Sequence, residues 1–522
     1  MSITLEQLAQ HNTPTDCWIA IDSVVYDVTK FLNSHPGGRG ALLSFAGKDA
    51  TQVFYDLHKK NVLERYGPKL KIGLLEGSKP FENSVIDSVT PFAEHTAHKW
   101  SSPFFGKSHL AFRQAVREFF NKEIRPDAEG IEELGADPTR EVYLKMGQAG
   151  ILASRIGVAA IPYIKKMGIT LPGGLSPDEL DYFHEQIAHE ETAFLGTPGY
   201  ADGLATGLVI GLPPVIHFAS QSLKDLVIEP CLRGEKIICL AISEPQAGSD
   251  VAGLVTTAKL SLDGKKFLVN GQKKWITNGS FADWFVTAVR TGGPGHGGIS
   301  LLLIARGPGV TTQKIKTSYS PAAGTATVFF DNVEVPKENL IGPENQGFKS
   351  IMANFNHERW LIAVIAQNYM RLSLADCYRW AMQRKVFGKR LIDQPVIRFK
   401  LAQMTAGVES CQAWLDSITY QMNVMSYEKQ TKELGGPIAL LKFNVTRTAQ
   451  MVADNSCQIF GGRSITRTGM GANIERNAKS FKFPAIYGGS EEILADLAVR
   501  QAVRNVEEAI AKDPKLGIVA KL

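Results

Sequence analysis

The chain has few cysteines, and no two of them form a C-x-x-C pair: six are scattered over 522 residues. This pattern indicates neither a disulfide framework nor a zinc site, and it favours a reducing compartment. A clustered stripe of Lys and Arg is also missing, since the formal net charge is only +5. We therefore expect no nucleic-acid partner, although the mildly basic balance suits an anionic substrate.

Long apolar runs are absent as well. The most apolar segment, residues 203–219, contains Pro213-Pro214 and is shorter than the roughly 20 apolar residues that span a bilayer. Residues 1–12 lack the apolar stretch of a signal peptide. We expect a protein without a membrane span.

The composition, 44% hydrophobic and 21% charged residues, is that of a globular protein, and 522 residues are enough for two or three domains.

Residues 237–280 are the most informative stretch. Alternating β-branched runs, separated by turn residues, predict antiparallel strands and hairpins inside an otherwise helical chain. Small residues at 247–249 let the backbone approach a diphosphate, and hydroxyls at Ser243, Ser249 and Thr277 accompany Trp275, whose indole can lie on a tricyclic ring. The alternative is a plain hairpin whose glycines only make turns.

Two blocks in this stretch decide between these alternatives. Residues 243–250 (SEPQAGSD) and 270–279 (NGQKKWITNG) closely resemble the two signatures of acyl-CoA dehydrogenases. The resemblance extends over residues 104–512 and implies a helical domain at 104–235, a β domain at 236–345 and a four-helix bundle at 346–512. It also implies FAD, bound by Ile242, Ser243, Gly248, Ser249, Trp275, Ile276, Thr277, Ser490 and Glu492. Helical, β and helical regions in this order predict an α+β fold.

Two further motifs concern oligomerisation. Residues 384–389 (RKVFGK) and 458–462 (QIFGG) match segments that, in the family, reach the FAD of a neighbouring subunit. Without the family they would be a charged helix end and an ordinary helix terminus. Pro395 stands where many relatives have glutamine, and residues 463–483 form a longer segment than usual. The resemblance implies a homodimer or homotetramer in which the FAD contacts are Arg384, Phe387, Gln458, Gly461 and Gly462.

Residues 1–78 form a separate predicted module. His35 lies in an H-P-G-G block, and His58 follows after a helical segment. Two imidazoles on opposite sides of a haem leave no open site for oxygen on the iron, and such a haem favours electron transfer. The module resembles cytochrome b5 domains along its whole length, which implies a b-type haem with His35 and His58 as iron ligands. Residues 79–103, with three prolines and no sustained periodicity, are predicted to be a linker.

The catalytic base is not in its usual place. Dehydrogenation between the α and β carbons of a thioester needs a carboxylate that takes the α proton as hydride leaves the β carbon. Many family members have this glutamate after a tyrosine, but here Tyr487 is followed by Gly488-Gly489. In the isovaleryl and long-chain branches it precedes an arginine on another helix, as Glu358 precedes Arg359. Glu358 is the predicted base, and Glu491 and Glu492 are the rivals.

Substrate contacts follow from the same resemblance. The backbone N–H of Gly488 is predicted to bind the thioester carbonyl and so acidify the α proton. The other predicted substrate-binding residues are Ser249, Arg359 and Gly489. The length and branching of the acyl chain are not predicted.

The last three residues, Ala520-Lys521-Leu522, resemble the S-K-L peroxisomal address and lie in a predicted tail at 513–522. They predict a peroxisomal protein bound by an import receptor, with the cytoplasm as the alternative. The predicted activity is that of an FAD-dependent acyl-CoA dehydrogenase whose haem relays electrons from the flavin, and the predicted partners include an external electron acceptor. Two alternatives stay open: a flavin oxidase or monooxygenase on the same fold, and a haem electron carrier with an inactive flavin domain.

Overall fold

A computed structural model of the chain describes residues 2–58, 61–77, 90–94 and 101–512. Most of the predicted linker and all of the predicted tail, with Ala520-Lys521-Leu522, lie outside these ranges. The chain divides into two compact units. The first comprises Met1–His98, Ser373–Thr405 and Asn455–Glu475, and the second comprises Lys99–Leu372, Ala406–Asp454 and Arg476–Leu522.

The N-terminal module is a six-stranded sheet with short helices. The strands pair in the order β1-β6-β4-β3-β2, with β5 beside β3. Their bounds are β1 Ser2–Ile3, β2 Asn12–Thr13, β3 Asp16–Ile21, β4 Val24–Asp27, β5 Lys48–Asp49 and β6 Lys71–Leu75. The helices are α1 Leu5–Gln10, α2 Arg39–Leu43, α3 Thr51–Leu57 and α4 Asn61–Leu70. Apolar side chains such as Ile19, Leu32 and Phe54 form the core between sheet and helices.

Residues 22–29 alternate as a strand does, but strand β4 begins only at Val24. Asp22 and Ser23 have φ of 52° and 65°, and Ile21 pairs with Val24 across them. A two-residue hairpin turn of this left-handed kind matches the natural twist of the strands it joins. These two residues therefore belong to the turn.

The second unit begins with a helical region. Its helices are α5 Lys107–Phe119, α6 Arg125–Leu134, α7 Arg140–Gln148, α8 Ile151–Ile156, α9 Ile161–Met167, α10 Tyr182–Ala193, α11 Pro198–Gly203, α12 Thr206–Phe218 and α13 Gln221–Leu232. Among the described residues, Pro198–Phe218 is the one segment long and apolar enough to cross a membrane, and 72% of its apolar window is buried inside the protein. Its apolar surface is thus used by the core.

An eight-stranded sheet follows, in the order β12-β13-β9-β8-β10-β11-β14, with β7 beside β10. The strands are β7 Ile238–Ala241, β8 Thr257–Leu260, β9 Lys266–Ile276, β10 Trp284–Arg290, β11 Ile299–Ala305, β12 Val310–Lys314, β13 Ala326–Pro336 and β14 Leu340–Ile341. The hairpin β8–β9 is antiparallel, as predicted. The prediction of antiparallel strands is wrong for β7, which pairs with β10 in parallel because the chain crosses over through the β8–β9 hairpin between them.

Long helices form the C-terminal region: α14 Gly347–Gln383, α15 Pro395–Val424, α16 Tyr427–Glu433, α17 Gly435–Phe460, α18 Ala472–Ser480, α19 Phe483–Ile486 and α20 Glu491–Lys512. A small hairpin, β15 Lys385–Val386 and β16 Lys389–Arg390, separates α14 from α15. Large side chains such as Trp360 are fully buried, and its indole N–H donates to Thr419 Oγ1. Helical, β and helical regions together confirm the predicted α+β class.

Candidate active site

Glu358 lies on α14 and faces the glycine loop at 487–490. The residue is 8% exposed, and its Oε2 is buried without a hydrogen-bond partner among the described residues. A Cβ built on Gly488 would lie 3.6 Å from Glu358 Oε1 and would clash with Ile362 Cδ1. A side chain at position 488 would therefore point into the space that the Glu358 carboxylate occupies.

The surroundings of Glu358 suit a proton acceptor. Burial raises the pKa of its carboxyl to about 7, against the opposing influence of Arg359, Lys442 and His357. His357 is itself held by Glu185, with 2.5 Å between Nε2 and Oε1. A general base works best when its pKa is near the operating pH, because it is then both deprotonated and basic.

The glycine loop is held by cations that lie outside it. Lys442 Nζ donates to the carbonyl oxygens of Tyr487 (2.7 Å) and Gly489 (2.6 Å), and Arg359 Nε donates to that of Gly488 (3.0 Å). Gly488 and Gly489 have φ of 66° and 103°, a region that favours glycine. Three successive carbonyls are thus fixed without any side chain of the loop.

This arrangement orients the N–H of Gly488. The carbonyl of Tyr487 and the N–H of Gly488 belong to one trans peptide unit, so they point in opposite directions. Because Lys442 binds the carbonyl, the N–H points away from Lys442, and no described residue accepts a hydrogen bond from it. The site therefore combines a free backbone donor with an unpartnered carboxylate.

The rival carboxylates are placed differently. Glu491 is buried at the start of α20, with Oε2 3.4 Å from Arg447 Nη1, whereas Glu492 is exposed. Ser490 precedes this helix and is half-buried. The predicted contacts of Ser490 and Glu492 with the cofactor stay predictions.

The two signature blocks come together at one edge of the β region. Lys274 N donates to Ser243 O (2.9 Å), while Lys273 Nζ contacts both Glu244 Oε1 (2.7 Å) and Ile242 O (2.9 Å). Burial lowers the pKa of Lys273 to about 8. Burial by itself would raise the pKa of Glu244, but the neighbouring Lys273 ammonium holds the pKa of this carboxyl below its usual value. This fully buried ion pair joins the two blocks.

The exposed face of these blocks fits a flavin cofactor. Trp275 is 54% exposed and has φ of 68°, which turns its indole out of the sheet at the end of β9. Thr277 is half-buried beside it, Ser249 is exposed, and a Cβ on Gly248 would meet no atom within 4 Å. The side chains of Ile242 and Ile276 lie in the core, so these two could contact a cofactor only through backbone atoms.

In the first unit, the predicted FAD contacts are on the surface. Phe387 is 96% exposed at the tip of the β15–β16 hairpin, with φ of 50°. Gln458, Gly461 and Gly462 are exposed at the end of α17, and the Arg384 guanidinium lies 6.0 Å from the centre of the Trp380 ring. Their contact with a neighbouring subunit stays a prediction.

His35 and His58 face each other in the N-terminal module. Their ring centres are 6.0 Å apart, which has room for one metal ion bonded to a nitrogen of each ring at about 2 Å. Nδ1 of His35 lies 3.2 Å from Gly38 O, and Nδ1 of His58 lies 3.2 Å from Phe54 O. Since a carbonyl only accepts hydrogen bonds, Nδ1 is the protonated nitrogen in both rings and Nε2 is left to bind a metal.

Two further features of the module suit metal binding by these rings: the space beside His35 and the neutral state of His58. A Cβ on Gly37 would come within 2.8 Å of His35 Cε1, so glycine lets the backbone pass the ring. Burial lowers the pKa of His58, which favours the neutral imidazole that binds metals. The residues therefore fit a haem with histidines at both axial positions.

Comparisons with known proteins agree with this geometry. Family models match residues 4–76 (cytochrome b5-like heme/steroid binding domain) and residues 106–235, 239–333 and 345–503 (N-terminal, middle and C-terminal domains of acyl-CoA dehydrogenases). The acyl-CoA dehydrogenase apdG of Emericella nidulans is 38% identical over 434 residues, which cover 82% of this chain and 98% of that protein. The chain belongs to the acyl-CoA dehydrogenase family.

Two other relatives extend the comparison. The mitochondrial long-chain specific acyl-CoA dehydrogenase of Mus musculus is 29% identical over 79% of this chain and 91% of its own length. The crystal structure of a probable acyl-CoA dehydrogenase from Mycobacterium abscessus has a TM-score of 0.68, is 30% identical and covers 76% of this chain and 100% of that one. The chain is thus an acyl-CoA dehydrogenase, an oxidoreductase, with a cytochrome b5-like domain fused to its N-terminus.

In this acyl-CoA dehydrogenase the family implies FAD and the fused domain implies haem. When bound, FAD accepts hydride. At the candidate site, the chain itself presents a buried carboxylate at Glu358 and an oriented N–H at Gly488. Lys442 and the pair Glu244–Lys273 were not predicted as site residues. The pair lies within the two signature blocks, so the blocks could have indicated it. The only sequence feature that marks Lys442 is its position as a lysine in an apolar stretch of α17.

Proposed function

We propose that this enzyme oxidises an acyl-CoA thioester between its α and β carbons, with Glu358 as the base. Glu358 takes the α proton; FAD, when bound, would accept the hydride from the β carbon, so that the products would be an α,β-unsaturated thioester and the two-electron-reduced cofactor. The Gly488 N–H stabilises the negative charge that develops on the thioester oxygen. The observation that carries this proposal is the unpartnered carboxylate of Glu358 beside the free N–H of Gly488.

We also propose that the haem accepts these electrons from FAD. A haem with histidine on both sides changes redox state without binding oxygen, and His35 and His58 have the spacing and the tautomers for this ligation. Because one haem takes one electron and reduced FAD carries two, an external acceptor must reoxidise the haem between transfers.

The exposed Phe387 and Gln458 support a homodimer or homotetramer in which FAD is shared.

Anaerobic mixing of the purified enzyme with a series of acyl-CoA thioesters tests both proposals. We expect the flavin absorbance to bleach first and the spectrum of reduced low-spin haem to follow. Bleaching without haem reduction would contradict the relay but not the dehydrogenation. If no thioester bleaches the flavin, the dehydrogenase proposal fails, and a monooxygenase or an inactive flavin domain becomes the better account.

For localisation, we propose import into peroxisomes by a receptor that binds Ala520-Lys521-Leu522. Deletion of these three residues is expected to leave the protein in the cytoplasm, because such an address is read by a receptor and not by membrane affinity. Fluorescence microscopy of tagged cells, with the tag at the N-terminus, measures the distribution. Peroxisomal fluorescence that survives the deletion would show that the tail is not the signal.

A further inference from the structure

An ion pair between two helices lies next to the candidate base. His357 precedes Glu358 on α14, and its Nε2 is 2.5 Å from Oε1 of Glu185 on α10. The Glu185 side chain is fully buried, whereas that of His357 is 16% exposed. Burying a charged pair costs free energy, and two well-packed apolar side chains would join α10 to α14 at least as stably. Packing alone therefore does not account for this pair.

The fold is built to hold the Glu185 carboxylate. Gly157 has φ of 66°, and a Cβ at this position would clash with Glu185 Oε2. Burial raises the pKa of the Glu185 carboxyl, while His357 and the backbone N–H of Val158 oppose this by stabilising the ionised form. Burial would likewise lower the pKa of His357, but the Glu185 carboxylate raises it above its usual value. Each partner thus keeps the other charged.

The other histidines and the tyrosine that face this pair are neutral at neutral pH. His189 Nε2 donates to the carbonyl of Arg155 (3.1 Å), and burial, together with the Arg155 charge, holds the pKa of His189 well below its usual value. Burial lowers the pKa of His217 on α12 to about 4. Burial raises the pKa of Tyr182, whose ring centre lies 6.4 Å from that of His357. Of these three imidazoles, His357 is the one that Glu185 keeps protonated.

The charge of His357 acts on Glu358. Burial raises the pKa of the Glu358 carboxyl to about 7, and Arg359, Lys442 and His357 oppose this rise. The Tyr487 phenol also faces this carboxyl, and burial raises its pKa well above the usual value, so it is neutral. Arg359 and Lys442 bind carbonyls of the glycine loop as well, so replacing either would disturb the loop. The hydrogen bond of His357 goes to α10 instead, so its charge can be removed without touching the loop.

We propose that His357, anchored by Glu185, is a positioning residue for this dehydrogenation: its positive charge keeps the neighbouring Glu358 carboxylate ionised, so that the carboxylate can take the α proton. A carboxyl group with a pKa of about 7 is half protonated at neutral pH, and without the cation a larger share would be protonated. His357 acts through Glu358 and does not have to touch the substrate. This inference rests on the proposed function, with Glu358 as the base.

The test replaces the pair by two amides, Glu185→Gln together with His357→Gln, which can still hydrogen-bond to each other across the two helices. Loss of the cation beside Glu358 raises the pKa of that carboxyl, so the rise of the flavin-reduction rate with pH should move to higher pH. At about pH 6 we expect the variant to be about three- to tenfold slower than the wild type, the effect of one charge several ångströms away. At about pH 9 both should react equally fast, because Glu358 is deprotonated in both.

The rate is measured by stopped-flow absorbance of the flavin in the enzyme loaded with FAD and haem, under anaerobic conditions and at saturating acyl-CoA. His217→Gln is the matched control: it makes the same change at a neighbouring imidazole that is already neutral, so the pH profile should stay in place. Glu185→Gln alone is the second variant, for use if the double variant binds less FAD. Without the Glu185 anion, burial leaves His357 neutral, and the profile should again move to higher pH.

The outcomes separate this inference from the proposed function. An unchanged pH profile in the double variant and in Glu185→Gln would overturn the role of His357 and leave the dehydrogenation intact. A loss of rate by the same factor at every pH would reveal a purely structural role and would overturn it as well. If the wild-type rate does not rise with pH through about 7, or if no thioester bleaches the flavin, the proposed function itself fails and this inference falls with it.

Discussion

Glu358→Gln is expected to lower the rate of flavin reduction by acyl-CoA by about 10² to 10⁴-fold, the usual contribution of a positioned general base. Glutamine keeps the shape and the hydrogen-bonding reach of the side chain but cannot accept the α proton. FAD content and thioester binding should change little, because the signature blocks and Gly488 are untouched. Stopped-flow absorbance of the flavin under anaerobic conditions measures the rate.

The pH dependence gives the same prediction a second readout. Burial raises the pKa of Glu358 to about 7, and the base acts only when deprotonated. The wild-type rate should therefore rise with pH through about 7 and level off above it. In Glu358→Gln this rise should disappear from the residual rate.

Glu491→Gln is the matched comparison for Glu358→Gln, because Glu491 is the other buried candidate for the base and it is also replaced by glutamine. We expect it to keep most of the rate, since Glu491 lies beside Arg447 and at the start of α20. A large loss in Glu491→Gln together with a normal rate in Glu358→Gln would assign the base to Glu491. The branch assignment made from Glu358-Arg359 would then be wrong.

Moving the base back to the loop should need three changes. Glu358→Gly with Gly488→Glu places a carboxylate on the same spot, but a side chain at 488 meets Ile362 Cδ1 and must adopt φ of 66°. We expect the double variant to regain only part of the activity, and Ile362→Ala to raise it further by removing the clash.

A second large effect is expected when His35 or His58 is replaced by alanine, because either change should abolish the low-spin haem spectrum. Each ring offers one Nε2 to the metal, since its Nδ1 is held by a backbone carbonyl, and either loss leaves one axial position empty. FAD should remain bound and should still be bleached by acyl-CoA, because the flavin blocks lie in the other unit. Absorbance spectra of the haem and flavin bands measure both effects.

His296→Ala is the control for this experiment. His296 is exposed and lies against Phe348 in the second unit, so its loss should leave the haem spectrum unchanged. A normal low-spin spectrum in His58→Ala would remove His58 from the ligand set.

Local patterns predicted much of this fold. Helix α13 covers Gln221–Leu232, a segment whose apolar residues recur with helical spacing, and the antiparallel hairpin β8–β9 turns at Asp263-Gly264, which is a typical turn pair. The parallel partner of β7 was missed because alternation reports which face of a strand is buried and not which strand lies beside it. The proximity of the two blocks, and that of Glu358 to Gly488, could be anticipated because the family's motifs are long and keep their order.

Other parts of the site have no such pattern. Lys442 is 45 residues from Tyr487 in the sequence, and its hydrogen bonds go to backbone carbonyls, which every residue has. Contacts of this kind depend on tertiary packing, so periodicity and motif spacing do not reveal them.

The way in which Lys442 and Arg359 hold the glycine loop has an evolutionary consequence. Because Lys442, on another helix, binds the Tyr487 carbonyl and so sets the direction of the Gly488 N–H, a side chain gained or lost at 488 leaves this donor in place once Ile362 makes room for it. The carboxylate and the carbonyl-binding N–H can then evolve separately. A lineage could pass its base from loop to helix in a few substitutions, with Ile362 as the neighbour that must shrink or grow to match.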